Sequence, residues 1–327
     1  MRKQILISLL LTVFLLGVPS ADGQQLRRSA KIGFLSSVSA SDNEANLKVF
    51  YQTLEELGYT EGKNIRIEYR WGEGKLDRMP ALAAELINLN VDVIVTVGMP
   101  AVVAAKKASN TVPIVTANAD NLVEAGLVAS LARPGGNITG STRVDADFSR
   151  KRLELLKETF PKLSRVAVVS HGSLGSDQEE LQEVQAVARS LGLEIQSLTV
   201  QDPSQFPGTY SEIMKRQAEA LIFFPSAFTS FHRKDLIEFA IKNRLPTMCS
   251  GINWIEVGCV LAYGPNVTEF YRRAAVFIDK ILKGAKPADI PVEQPTKFDF
   301  IINLKTAKQI GLTIPPNVLA RADRVIR

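Results

Sequence analysis

The strongest constraint on this chain is a supersecondary pattern that it carries twice. Lys31-Ile32-Gly33-Phe34-Leu35-Ser36 and Arg165-Val166-Ala167-Val168-Val169-Ser170 each lead a mostly apolar run with a basic residue and close it with serine. A helix is predicted after each run, opened by Ser41-Asp42 or Ser176-Asp177, whose side chains accept hydrogen bonds from first-turn amides. Both helices are predicted to stop at a leucine–glycine pair, Leu57-Gly58 and Leu191-Gly192, where glycine suits the left-handed position past the last turn. Closing serine and terminating glycine stand 22 residues apart in each copy. The parallel continues. Val91–Val95 matches Ala218–Phe223, each apolar run followed by a proline (Pro100 and Pro225). Val112-Pro113-Ile114-Val115 then matches Leu245-Pro246-Thr247-Met248, with proline at the entry of a strand, where it is tolerated. Apolar strands alternating with amphipathic helices specify a parallel sheet between helix layers. The doubled pattern therefore predicts an α/β chain of two Rossmann-like lobes with parallel sheets joined by crossover strands.

The first crossing is placed at Pro134-Gly135-Gly136-Asn137-Ile138-Thr139-Gly140-Ser141, whose glycines mark a turn before a short strand. A second is placed at Tyr263-Gly264-Pro265-Asn266. A helix follows from Thr268 to Leu282, and its apolar Phe270, Ala274, Phe277, Ile278 and Ile281 share one face. That face is expected to pack back on the first lobe. Pro287, Pro291 and Pro295 stiffen the connector after it. Phe298–Leu304 is read as a last strand of the second lobe and Asn317–Ile326 as a terminal helix. Lobe 1 is thus residues 31–140 plus 265–290, and lobe 2 residues 141–264 plus 297–327.

The N-terminus has a basic head (Arg2, Lys3), an apolar run from Ile5 to Val18 and an Ala21-Asp22-Gly23 exit. This is the layout of a cleavable secretory signal peptide over residues 1–23, and the run is short of the roughly 20 residues a membrane span needs. No cysteine follows to carry a lipid, so the mature chain is expected to be a soluble periplasmic monomer starting near Gln24. Export would permit a disulfide between Cys249 and Cys259. Each sits in an apolar stretch, however, and the pair is expected as buried thiols, with a bridge the alternative.

Composition narrows the functions. With 46% hydrophobic and 22% charged residues among 327, there is material for two cores and no case for disorder. The net charge of +5 is spread along the chain without a basic block, so no nucleic-acid partner is expected. Two histidines and two cysteines without CxxC or HExxH spacing point to no metal. A GxSxG elbow and a Walker A loop are absent, and no GxGxxG follows the first strand, so no cofactor and no catalysis are expected. Gly72-Glu73-Gly74 lacks the third glycine and reads as a turn.

In open α/β sheets, ligands sit beyond the carboxyl ends of the strands. The loops there offer Ser36 and Ser37, whose hydroxyls beside helix-start amides suit a carboxylate. They also offer Gly98 and Met99 at a helix start, and Asn118, Asp120 and Asn121, which suit an amine. The second lobe contributes His171, Ser226 and Tyr263, the last adding a flat ring with a polar tip. His232, beside Arg233 and Lys234, reads as solvated.

Several strings resemble solute-binding proteins of ABC transporters, in the branch that includes tryptophan and tyrosine binders. They are Gly33-Phe34-Leu35-Ser36-Ser37, Glu56-Leu57-Gly58-Tyr59-x-Glu61-Gly62-x-Asn64-Ile65, Glu68-Tyr69-Arg70-Trp71, Leu127–Asn137 with its Arg-Pro-Gly-Gly-Asn ending, and Lys305-Thr306-Ala307. The similarity covers nearly the whole mature chain. It implies a type I periplasmic binding protein fold with three crossovers and a hinged cleft. It also implies delivery of a small solute to an ABC transporter permease, and the hydroxyls and helix starts of the loops point to a polar one, amino-acid-like or otherwise carboxylate-bearing. The alternatives are a sensing module for a membrane receptor and, behind it, an exported α/β enzyme. One departure bears on the ligand. The family's Gly-Asp-Pro before the glycine-rich string is here Asp120-Asn121-Leu122, so the acid is displaced by one position and the specificity for aromatic amino acids does not carry over.

Overall fold

A computed structural model describes residues 29–143, 145–172 and 175–327 of the chain. The expected signal segment and its cleavage near Gln24 lie outside the described residues.

The first lobe is built from β1 (Ala30–Ser36), α1 (Ala40–Glu56), β2 (Ile65–Trp71), α2 (Met79–Asn88), β3 (Val93–Val97), α3 (Met99–Ala108), β4 (Ile114–Asp120) and β5 (Ile138–Arg143). Its five strands are parallel, in the order β2-β1-β3-β4-β5. Every residue of β3 is buried, as a strand covered on both faces requires. The second lobe runs through α4 (Asp145–Thr159), β6 (Arg165–Ser170), α5 (Gly175–Ser190), β7 (Glu194–Thr199), α6 (Phe206–Lys215), β8 (Ala220–Phe223), α7 (Ala227–Phe231) and α8 (Arg233–Lys242). It goes on through β9 (Thr247–Cys249), α9 (Ile252–Ile255) and β10 (Leu261–Pro265). The chain then makes α10 (Val267–Leu282), β11 (Phe298–Asn303), α11 (Leu304–Gln309), α12 (Pro316–Leu319) and β12 (Arg324–Ile326). The second sheet has the order β12-β11-β10-β9-β8-β6-β7.

The two-lobed parallel architecture is the one the doubled pattern predicts, and both terminating glycines have positive φ, 89° at Gly58 and 65° at Gly192. Helix α10 does return to the first lobe. Phe270, Ala274, Phe277 and Ile278 are buried there with Ile32, Phe34 and Phe50, each large side chain contributing about 1.5–3 kcal/mol by leaving water. The connector after it lies along β5, with Glu293 N–H donating to Gly140 O and Thr142 N–H to Glu293 O, both at 2.9 Å.

Four expectations need correction. Helix α1 opens at Ser39, not at Ser41-Asp42: Ser39 Oγ accepts from Asp42 N–H, and Asp42 carboxylate accepts from Ser39 N–H and, at 2.6 Å, Ser39 Oγ–H. Asp42 is thus the third helical residue of a capping box. Strand β11 runs antiparallel to β10. The terminal helix is only the single turn α12. Arg324–Ile326 instead pairs with Ile301–Asn303 as an edge strand, because those β11 residues leave a ladder open there. Finally, Cys249 and Cys259 are disulfide-bonded rather than free, and both are fully buried.

Candidate functional site

Strand order fixes where a site can form. In the first sheet the chain turns one way from β1 to β2 and the other way from β1 to β3. In the second the same divergence separates β6–β7 from β6–β8. Loops at the carboxyl ends of such strands part and leave a crevice. A cavity of about 440 Å³ lies there, walled by residues of both lobes.

On the first-lobe side, Ser37 continues β1. Its N–H and its hydroxyl both donate to Val97 O, at 3.1 and 3.2 Å. Gly98 carries β3 into α3 with φ of 86°, and an added Cβ would run into Ser37 Oγ. Helix α3 has no side-chain cap, and Met99, at its first position, lines the cavity. From α1, Asp42, Asn43 and Asn46 reach the wall. Asn43 Nδ2 donates to Ser36 Oγ at 3.2 Å and to Ser39 O at 2.8 Å, and Tyr271 Oη–H donates to its Oδ1. Tyr271, on α10, also lines the cavity, and burial pushes its phenol up from the ordinary value. Asn118 lines the wall with its Oδ1 buried and without a protein partner.

Asp120 and Arg143 end neighbouring strands in register, and Arg143 donates to Asp120 Oδ1 from Nε at 2.8 Å and from Nη2 at 2.6 Å. On the second-lobe side His171 stacks on Phe228 with ring centres 4.6 Å apart. Burial pulls its imidazole below the ordinary histidine value, opposed by the nearby Asp177 carboxylate. Ser226 caps α7 through Thr229 N–H at 3.0 Å. The loop 250–254 adds Ser250, Gly251, Ile252, Asn253 and Trp254, the indole stacked on Phe223 at 5.2 Å. This loop is closed by the Cys249–Cys259 bridge.

The lobes touch across the crevice. Arg233 Nη2 donates to Asp42 Oδ1, Asn253 Nδ2 donates to Asp42 O at 3.4 Å, and Phe231 packs where a Cβ on Gly74 would stand. The molecule is therefore in a closed arrangement, with cavity-lining residues of both lobes within one wall.

Of the residues singled out in the sequence, Ser37, Gly98, Met99, Asn118, Asp120, His171 and Ser226 line the cavity. Ser36, Asn121 and Tyr263 do not. Ser36 is fully buried behind Asn43. Asn121 caps a turn, its Nδ2 donating to Glu124 at 2.6 Å. The Tyr263 ring stacks toward Phe298, 6.3 Å away, and joins the second-lobe core, because alternation along β10 turns it from the cleft. His232 is not solvated: it packs among Phe206, Phe228 and Phe231. Sequence reasoning passed over Asp42 and Arg233 as helix-start residues, and Arg143 and Tyr271 altogether. Trp254 was not singled out either; a large aromatic after Ser250-Gly251 was the available signal.

The sequence model of the family described as ABC transporter substrate binding protein matches residues 31–326. A tyrosine-binding protein of Clostridioides difficile is 24% identical over 287 residues, 88% of this chain and 82% of that one. A Streptococcus pneumoniae ABC domain solved in complex with L-Trp is 25% identical and superposes with a TM-score of 0.83 over 91% of this chain and 100% of that one. A ligand-free, open substrate-binding protein with adhesive properties from Clostridium difficile, 23% identical, superposes at 0.66 over 91% of this chain and 99% of that one. The described residues form the same type I periplasmic binding fold.

Proposed function

Because the chain belongs to the ABC transporter substrate-binding protein family, we propose that it captures a small carboxylate-bearing solute of amino-acid size between its lobes and delivers it to a membrane permease. The observation that carries this reading is the cavity of about 440 Å³ with a wall drawn from both lobes and ion-paired across by Asp42 and Arg233. A ligand that contacts both lobes binds the closed state better than the open one, and so drives closure. Ser37, Gly98, Met99, Asn118, Asp120, His171 and Ser226 form its polar contacts. Trp254 and Phe228 supply flat apolar area, which fits the aromatic ligands in the names of the tyrosine-binding relative and the tryptophan complex. The protein acts without catalysis, as a monomer, outside the cytoplasm after loss of residues 1–23.

Thermal-shift screening of the purified mature chain against amino acids, organic acids, purines and sugars tests the reading. A ligand at 100 times its Kd stabilises by about 2.7 kcal/mol. Hits confined to sugars or purines, or no hit at all, would overturn a carboxylate ligand. Mass spectrometry of the exported protein should find a first residue near Gln24.

A further inference from the structure

The cavity does not end at the crevice between the lobes. Helix α3 starts there, and its Pro100, Val103, Ala104 and Lys107 all line the cavity. Residues three and four apart share one helix face, so this face carries the wall about 10 Å from the first turn of α3 toward its last, at roughly 1.5 Å per residue. Leu76, Met79 and Pro80, at and just before the start of α2, add further apolar wall. Met79 is unbranched and adapts to the shape of an apolar occupant. The arm ends on a cation. Lys106 of the same turn donates to Asn137 Oδ1 at 2.8 Å, whereas Lys107 is exposed and has no ion pair or hydrogen bond with any described residue. Arg143 and Arg233, the guanidinium groups of the wall, are both paired. Long helical side chains lean toward the helix N-terminus, which turns the Lys107 ammonium back toward the cleft. The cleft end of α3 offers a carboxylate little by comparison. Pro100 has no N–H, Ala101 and Val102 N–H both donate to Gly98 O at 3.0 and 3.3 Å, and the Ser37 N–H and hydroxyl are spent on Val97 O.

From this we infer that the solute is an elongated arylalkanoate: its ring lies in the cleft beside Phe228 and Trp254, its chain runs along Pro100, Val103 and Ala104, and its carboxylate ends at Lys107. The inference rests on the reading of the cleft as the solute site and deepens it by saying which end of the solute goes where. Such a molecule stays within amino-acid size, since 7-phenylheptanoate has as many heavy atoms as tryptophan, but it is longer. An aromatic amino acid, with two carbons between ring and carboxylate, cannot occupy the ring site and reach Lys107 together. The polar side chains of the cleft, Asn118 and Ser226 among them, are left to read substituents on the ring. Each methylene taken out of water strengthens binding up to about fourfold, whereas an exposed ion pair adds about fivefold at most. Length therefore carries more of the affinity than charge does.

Calorimetry on the native mature protein tests it with 3-phenylpropanoate, 5-phenylpentanoate and 7-phenylheptanoate, the primary amide of each, and L-phenylalanine. Kd is expected to fall about two- to fourfold per added methylene up to the seven-carbon acid, which should bind at least about tenfold tighter than L-phenylalanine. Affinity that is flat or falls with length, in a protein that binds the shortest acid or L-phenylalanine, would overturn the inference and leave the carboxylate reading intact. If none of the three acids binds, the inference falls, and the thermal-shift screen then decides the carboxylate reading by itself. A second arm uses Lys107→Met, a change at an exposed position, checked for folding by its melting curve. The preference for 7-phenylheptanoate over its amide should drop about three- to fivefold, while the affinity for the amide stays within about twofold of the parent value. An unchanged acid-to-amide ratio would overturn the placement of the carboxylate at Lys107.

Discussion

Arg233 of the second lobe holds the Asp42 carboxylate of the first across the cleft, with the two side chains 14% and 10% exposed. The guanidinium is aimed by its own backbone contacts, donating to Ser230 O and to Asn253 O at 3.2 Å. Asp42 is fixed by the capping box of α1. Both partners are thus oriented before they meet, which lowers the entropy lost in pairing.

Parting the lobes would expose both groups to water, so the pair is expected to weigh on closure rather than on folding. Hydrogen bonds to charged groups contribute about 1.5–3 kcal/mol, and 1.4 kcal/mol is roughly tenfold in an equilibrium constant. Arg233→Ala should weaken solute binding about tenfold or more and enlarge the unliganded protein in small-angle scattering. Equal affinity and equal radius of gyration would show that the pair does not hold the lobes together.

The Cys249–Cys259 bridge closes the loop that carries Trp254 and Asn253 into the wall. A loop of this length is stabilised by about 2–3 kcal/mol through lost unfolded-state entropy. Reduction, or a Cys249→Ser/Cys259→Ser double variant, should lower the denaturation midpoint accordingly and reduce affinity as the loop loosens. A midpoint and affinity indifferent to reductant would argue against both effects.

His171 is buried and its pKa lowered, first by desolvation, with Asp177 opposing. The unfolded imidazole takes up its proton near pH 6.5, the folded one only at lower pH. Between those values the unfolded state binds more protons, so stability rises with pH and falls on acidification below about 6.5. His171→Asn should remove this share of the acid-side loss. Urea midpoints at about pH 5 and 7.5, compared between variant and parent, measure it, and parallel profiles would refute the assignment.

Gly140 sits in β5 with φ of 124°, and a Cβ there would overlap the backbone of Thr116 on β4. Neither the dihedral nor the neighbour can yield cheaply. Gly140→Ala should cost at least about 2 kcal/mol of stability, read from chemical denaturation. A variant as stable as the parent would mean that the two strands can part there.

The lobes were legible because their signals are local. A strand, a capped helix and a terminating glycine repeat within 22 residues, and the carboxyl-end rule then points to loops. Seven residues of the wall followed from it. What was illegible depends on residues that meet only through topology. Asp42 and Arg233 lie 191 positions apart and Asn43 and Tyr271 lie 228 apart. Arg143 meets Asp120 only because β4 and β5 are neighbours in register. Tyr263 failed for a different reason: a strand residue at the right end still points to one of two faces, and its face was the core. The tail 317–326 has helix-favouring composition, yet an open ladder on β11 outweighs propensity for its last three residues.

Helix α10 has a consequence for how the molecule is made. The sheet face formed by Ile32, Phe34 and Val95 is closed by Phe270, Ala274 and Phe277, residues that follow Phe34 by more than 230 positions. At about 5–20 residues per second, the first lobe waits on the order of ten seconds or more for the element that completes its interior. Through that interval the apolar face of the first sheet lacks the helix that covers it. Splitting a lobe across the polypeptide thus sets a clock: the protein becomes foldable only when little of it is left to synthesise.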